Sequence, residues 1–328
     1  VLGLPGVPFL LNGSSVVTMK KFAFVFPGQG SQSRGMMNGY ADFTAVRDTF
    51  TEASDVLKQD LWQLVAEGSD DDLNTTVNTQ PIMLTAGVAV YRAWQSQGGA
   101  APAIMAGHSL GEYTALVATG ALSFADALPL VRYRAQCMQQ AVPEGVGSIA
   151  AILGLDDEVV RAVCAEGAQN EVLEAVNYNS PGQVVIAGNR AAVERGMELA
   201  KAKGAKRAIM LPMSVPSHCR LLKGAAEQLR DYLVNVAVQA PTIPVLHNAD
   251  VKNYSDSAAI KDALVRQLYS PVRWVETVLE FGKQGITHNV ECAPGKVLAG
   301  LNKRITTDQQ AMAINDGAAL TLALAALA

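Results

Sequence analysis

Little in this sequence points to metal, membrane or nucleic acid. Four cysteines, Cys137, Cys164, Cys219 and Cys292, are scattered through 328 residues without a CxxC pair. That spacing suits neither a zinc site nor a disulfide framework, and reduced cytosolic thiols are the expectation. Charge of one sign is also scarce: 26 Lys+Arg stand against 30 Asp+Glu, a formal net charge of -4. A surface built to neutralise many phosphates is therefore excluded as the general design. No apolar run reaches the roughly 18 residues of a membrane-spanning helix, so the Ala/Leu-rich stretch 318–328 reads as a packed terminal segment. Residues 1–18 lack the basic n-region of a signal peptide and are broken by Gly3, Pro5, Gly6 and Pro8. They read as a non-native or upstream-translated extension ahead of Met19. Histidines are few as well, only four, so a histidine base has few candidates.

What is present is ample core material, with 49% hydrophobic and 17% charged residues. The length suits one large domain with an embedded subdomain, or two domains. Residues 20–26 (KKFAFVF) form a β-type run ended by Pro27 and Gly28. Helical patterns follow at about 42–64 and 81–97. A short apolar strand at 103–106 runs into GHSLG, 107–111, and then a helical stretch at 112–119. Strand, tight turn and helix is the grammar of a parallel α/β sheet. From Gly147 the pattern becomes strand 148–155, helix 156–166, strands 172–177 and 183–187, helix 190–203 and strand 206–212. That βαββαβ order is a ferredoxin-like arrangement. Strands at 244–247 and 287–292, with a helix at 258–269, return to the first pattern. The expected architecture is α/β: a parallel-sheet body over 19–146 and 214–328, interrupted by a ferredoxin-like subdomain over 147–213.

The pentapeptide GHSLG is a G-x-S-x-G. A strand before it and a helix after it are the context in which such a serine stands exposed on a sharp turn. The amide of Leu110 can then donate to a developing oxyanion, and the following helix N-terminus adds positive potential. FPGQGSQ, 26–32, fails as a dinucleotide fingerprint because Ser33 stands where the third glycine belongs, and it lacks a Walker ending. Its amides can instead complete an oxyanion hole, with Gln29 as donor. Among the histidines, His108 adjoins the serine, where neighbours diverge, and reads as a packing or orienting residue. His247 lies in a strand-like segment and reads as a core histidine. His288 begins a late strand and could complete a hydrolase triad. His218 lies on a loop that can hang over Ser109.

FPGQGSQ, GHSLGEY, Arg134 in the helix 131–140, NYNSPGQVVIAG (177–188), SVPSH (214–218) and CAPGKVLAGL (292–301) occur in that order. Together they closely resemble the malonyl-CoA:acyl carrier protein transacylases of bacterial fatty-acid synthesis, from Met19 to about Ile314. The resemblance implies a hydrolase-like α/β body with a ferredoxin-like subdomain. It implies Ser109 as nucleophile, His218 as base oriented by the backbone carbonyl of Gln267, and the amides of Gln29 and Leu110 as oxyanion hole. Arg134 would hold the malonyl carboxylate, Met138 would lie close to the acyl pocket, and Asn179 and Gln183 would lie near the cleft. The expected partners are malonyl-CoA and an acidic acyl carrier protein, met transiently. No cofactor, metal, nucleic acid or membrane is expected, and the protein is expected to be a cytoplasmic monomer.

Elementary chemistry supports these roles. A serine nucleophile splits thioester exchange into two half-reactions. A guanidinium beside it receives a dicarboxylic acyl group bidentately, as lysine does less well. Three other readings compete. One is an esterase using Ser109, Asp250 or Asp262, and His288, in the chain order of α/β-hydrolases. Another is a carrier-binding subunit with a vestigial site, and the third is the malonyl transferase subunit of a malonate decarboxylase. Lys201, Lys203, Lys206 and Arg207 form a basic stretch that could face an acidic carrier or simply be solvated.

Overall fold

The computed structural model describes residues 20–143, 145–212 and 215–328, so the expectation for 1–18 falls outside the described residues. Among the described residues, nine strands form two sheets. The first runs β7-β2-β1-β8-β9 and is parallel throughout, from β1 (Phe22–Phe26), β2 (Ile104–Gly107), β7 (Val245–Leu246), β8 (His288–Cys292) and β9 (Gln310–Ile314). Every residue of β1 and β8 is buried, as parallel strands covered on both faces require. Phe24 packs edge-on against Tyr91 and Trp94 of the helix Thr76–Ser96, anchoring one layer of helices to the sheet.

The second sheet is antiparallel, ordered β4-β5-β3-β6, from β3 (Gly147–Leu153), β4 (Leu173–Ser180), β5 (Gln183–Asn189) and β6 (Arg207–Met210). Helices Asp157–Ala168 and Arg190–Ala202 cover one face, where Val160, Val163 and Val193 meet Ile152, Val184 and Ile186. The other face carries Ile149, Val176 and Val185, which cluster with Cys219 of the body. The sheets are also joined through the backbone: Asn177 of β4 bridges Val272, with Tyr178 N donating to Val272 O and Val272 N to Val176 O.

The pattern anticipated at 42–64 is two helices, Thr44–Leu57 and Leu61–Glu67. Lys58 turns left-handed at φ 53°, and the Asp60 side chain caps the second helix. The helix anticipated at 81–97 begins earlier, at Thr76, with Pro81 inside it. The segment at the far end is the helix Gly317–Leu327, which buries Leu320, Ala323 and Leu327.

Candidate active site

The C-terminal ends of β1 and β2 are neighbours, with Phe26 opposite Gly107, and β7 flanks β2. The loops leaving these three strands therefore meet at one edge of the sheet, where open α/β sheets place their ligand sites. Ser109 tops the turn between β2 and the helix Gly111–Ala118, with φ at 50°. A left-handed serine is strained and must be held by its surroundings. Glycine at 107 makes the turn possible, since a Cβ there would sit 1.8 Å from the Gly111 carbonyl carbon. Asn248, just beyond β7, clamps the turn from both sides. Its Nδ2 donates to Gly107 O at 2.6 Å, and its Oδ1 accepts from Ser109 N at 2.7 Å.

His218 lies over the serine. Its Nε2 is 2.8 Å from Ser109 Oγ, and its Nδ1 is 2.8 Å from the Gln267 carbonyl oxygen. A carbonyl only accepts, so Nδ1 carries the proton and Nε2 is left to accept from the serine. The His218 backbone N–H is tied down too, donating to Leu268 O. Burial, and next the nearby Arg134 cation, pull His218 down to about 3, which keeps the ring neutral.

Arg134 comes from the helix Phe124–Ala141 and is 1% exposed. Its Nη1 donates to Gln80 Oε1 at 2.7 Å. Its Nη2 donates to Gln267 Oε1 at 3.0 Å and to Ser109 Oγ at 3.3 Å. The Nε has no partner among the described residues. A buried cation with spare donors, beside a serine, can receive an anionic group. The Gly28–Gln29 loop leans directly on the turn: a Cβ on Gly28 would lie 2.6 Å from His108 O and 3.6 Å from Leu110 N. The Gln29 side chain is turned to Thr76 Oγ1 at 3.3 Å.

A cavity of about 50 Å³ lies among these groups, lined by Gln29, Gln80, Ser109, Leu110, Arg134 and Met138. Its wall combines the Arg134 cation with the Ser109 hydroxyl, so it is both small and polar. A cleft of about 410 Å³ between the sheets shares Gln29 and His108 with it, and Asn177, Asn179, Val297 and Leu301 line its walls. Asn179 Oδ1 meets His108 Nε2 at 2.8 Å, which fixes His108 in that wall. Gln183 is not brought to either cavity; it accepts from Arg304 Nη2 at 2.9 Å. A separate, more open hollow of about 820 Å³, bounded by Glu166, Arg195 and Leu199, touches none of these groups.

The esterase arrangement is not assembled. His288 pairs with Phe22 in the sheet register, whereas Gly107 pairs with Phe26, so His288 lies at the opposite end of the strands from Ser109. Four residues of parallel strand amount to roughly 13 Å. Asp250 and Asp262 both bind Arg266 rather than a histidine. Lys201 and Lys203 are partly neutralised by Glu198 and Glu166. Among the described residues, no group of three His, Cys, Asp or Glu side chains could hold a metal ion.

Sequence reading missed Gln80, Glu112 and Asn248. Only their burial marks them: they are 1%, 0% and 1% exposed, polar side chains in otherwise apolar surroundings. Glu112 Oε2 accepts from Gln267 Nε2 and from Asn248 N, and Oε1 lies 2.7 Å from His247 Nδ1. His247 is thus the core histidine that its setting suggested.

A half-buried serine, relayed through a buried histidine to a carbonyl, with a cation in the same cavity, defines an acyl-transfer site. The chain belongs to the acyl transferase family, whose domain model matches residues 23–318. It is 55% identical over 307 residues to the malonyl CoA-acyl carrier protein transacylase of Salmonella typhimurium, covering 93% of this chain and 99% of that protein. The solved acyl-carrier-protein S-malonyltransferase of Burkholderia pseudomallei superposes with a TM-score of 0.92 at 62% identity, covering 93% of this chain and 99% of that one. A malonyl-transacylase solved in complex with a type II PKS acyl-carrier protein gives a TM-score of 0.93 at 52% identity, covering 94% and 100%. The α/β fold with a parallel sheet, expected from the motifs, is the fold of these relatives.

Proposed function

We propose that the chain moves a malonyl group from malonyl-CoA to the phosphopantetheine thiol of an acyl carrier protein, through a malonyl ester on Ser109. The observation that carries this is Arg134, a buried cation whose Nη2 lies 3.3 Å from Ser109 Oγ. A malonyl carboxylate can pair directly with that cation, which an uncharged acyl group cannot do. As Ser109 Oγ attacks the thioester carbonyl, its proton passes to His218 Nε2. The oxyanion faces the amides of Leu110 and Gln29. Collapse expels the CoA thiolate, which takes the proton back from His218. The carrier thiol then gives its proton to His218 and attacks the ester, and collapse releases Ser109 Oγ, which takes that proton back from His218. Met138 and Gln80 wall the acyl cavity, and Asn179 fixes His108 at the cleft where the pantetheine arm enters. Gln183 is bonded to Arg304, on the same helix as the cleft residues Val297 and Leu301, so it stands beside the cleft rather than in its wall.

The names of the relatives support this reading, and one of them was solved with its carrier protein bound. Ser109, His218 and Arg134 all come from this chain, and with them goes the reading of a cytoplasmic monomer that uses no cofactor. No described helix is long and apolar enough to cross a membrane. The proposal also treats 147–213 as a subdomain inserted into a body of 19–146 and 214–328.

Intact-mass analysis after malonyl-CoA should show one malonyl adduct, and peptide mapping should place it on Ser109; an adduct elsewhere would sink the scheme. His218 has its own signature. Its neutral form is the active one, and its value of about 3 lies below the ordinary histidine value of about 6.5. Acylation by the free enzyme, read as kcat/KM, should therefore hold level as pH falls through 6.5 and drop only well below about 5. An acid limb at about 6.5 would show that the site does not depress the proton affinity of its base. His218→Ala should lose roughly 100- to 10,000-fold in rate, and His288→Ala should lose little.

A further inference from the structure

One buried charge takes no part in the scheme above. Glu112 is 0% exposed and touches neither Ser109 Oγ nor His218. Its Oε2 accepts from Gln267 Nε2 at 2.9 Å and from Asn248 N at 2.8 Å. Gln267 Oε1, the other end of the same amide, accepts from Arg134 Nη2 at 3.0 Å. Cation, amide and carboxylate thus stand in line. The hydrogen-bond partners of Arg134 are all neutral: Gln80, Gln267 and Ser109.

His247 does not supply the missing charge. Its Nδ1 faces Glu112, and its Nε2 is buried without a partner among the described residues. A doubly protonated ring would bury an Nε2–H with nothing to accept it, so the Nδ1–H tautomer fits. The partner charge for Glu112 is therefore Arg134, one amide away.

We propose that Glu112 is the resident counter-ion of Arg134, coupled to it through the Gln267 side chain, and that it sets how tightly the acyl pocket grips a carboxylate. This rests on the reading of Arg134 as the partner of the malonyl carboxylate. An uncompensated buried guanidinium would bind that carboxylate too firmly and hold the ester back from the carrier thiol. With Glu112 in place, two carboxylates share one cation, and the arriving one is bound less tightly. Glu112 acts through Gln267, so it is a positioning residue rather than a catalytic one.

The test is steady-state kinetics with malonyl-CoA and acetyl-CoA, with the malonyl-enzyme fraction read by mass and folding by thermal melting. Glu112→Gln keeps the shape of the network. Its amide oxygen can accept from Gln267 and Asn248, while its NH2 meets His247 only in the tautomer that buries an unpaired Nε2–H, a stability cost that the melting curve reads separately from KM. KM for malonyl-CoA should fall roughly tenfold, KM for acetyl-CoA should stay put, and malonyl-enzyme should accumulate as kcat falls. An unchanged or raised malonyl KM would overturn the inference.

The charge swap, Glu112→Gln with Gln267→Glu, provides a check of opposite sign. It moves the carboxylate directly onto Arg134, so KM for malonyl-CoA should rise more than tenfold and by a larger factor than KM for acetyl-CoA, whatever kcat the altered Gln267 position loses on both. Equal losses on both substrates would reduce Glu112 to a structural residue and end the proposal. A wild-type enzyme that forms no malonyl ester would strike the functional reading instead, so the two failures are distinguishable.

Discussion

Arg134→Ala is expected to cut kcat/KM for malonyl-CoA by roughly 30- to 5,000-fold while sparing, or raising, transfer from acetyl-CoA. Removing one member of a buried hydrogen-bonded charge pair costs about 2–5 kcal/mol, which sets that range. The acetyl group ends in a methyl, and in the variant it no longer faces a buried guanidinium. Arg134→Lys should fall between, since it keeps the charge and loses the planar fork. The same substitution should leave a second trace. Arg134 is the second cause, after burial, of the depressed His218 proton affinity. Without it, the acid limb of acylation should move up in pH toward the ordinary histidine value. The arriving malonyl carboxylate acts in the same direction on the intact enzyme: by answering Arg134 it makes His218 a stronger base when the substrate is in place. Parallel losses on both acyl donors, with the acid limb unmoved, would mean that Arg134 supports the site in general and does not select the acyl group.

Ser109→Ala should abolish both the covalent adduct and transfer, leaving the fold intact. Alanine at 109 inherits the left-handed backbone, φ 50°, and with it the strain. Glycine adopts that conformation freely. Ser109→Gly should therefore be equally inactive yet more stable than Ser109→Ala, by about 1 kcal/mol at the small end of the strain range. The comparison is made by chemical denaturation, and a glycine variant no more stable than the alanine one would remove the claim of strain. A persisting adduct in either variant would dislodge Ser109 as nucleophile.

The parts of the site that could be read in the sequence are those written as contiguous signals. GHSLG announces a turn, FPGQG a loop at a strand end, and a short list of histidines narrows the base to His218 or His288. The choice between those two depended on the ordered motifs, and the sheet register makes the geometric case, because His288 starts its strand where Ser109 follows the end of another. Glu112, Asn248 and Gln80 were not legible. Their sequence neighbours give no sign that distant segments fold over them, and Glu112 meets partners 135, 136 and 155 residues away. The strand Gln310–Ile314 went unread for a related reason: QAMAI has little β character of its own and takes its conformation from parallel pairing with β8. The split of the helical pattern at Lys58 likewise carries no glycine or proline to mark it. Gln183 shows the opposite failure. It belongs to a motif around the cleft, yet its side chain is drawn outward to Arg304.

The backbone bridge between Asn177 and Val272 gears the mouth of the enzyme to its base. Asn177 and Asn179 line one wall of the entrance, on a strand of the second sheet. Val272 follows closely on Gln267 and Leu268, whose carbonyls hold the ring and the backbone of His218. The wall that a pantetheine arm passes and the carbonyls that aim the imidazole are thus set by one continuous run of backbone hydrogen bonds, so neither can be displaced without straining the other.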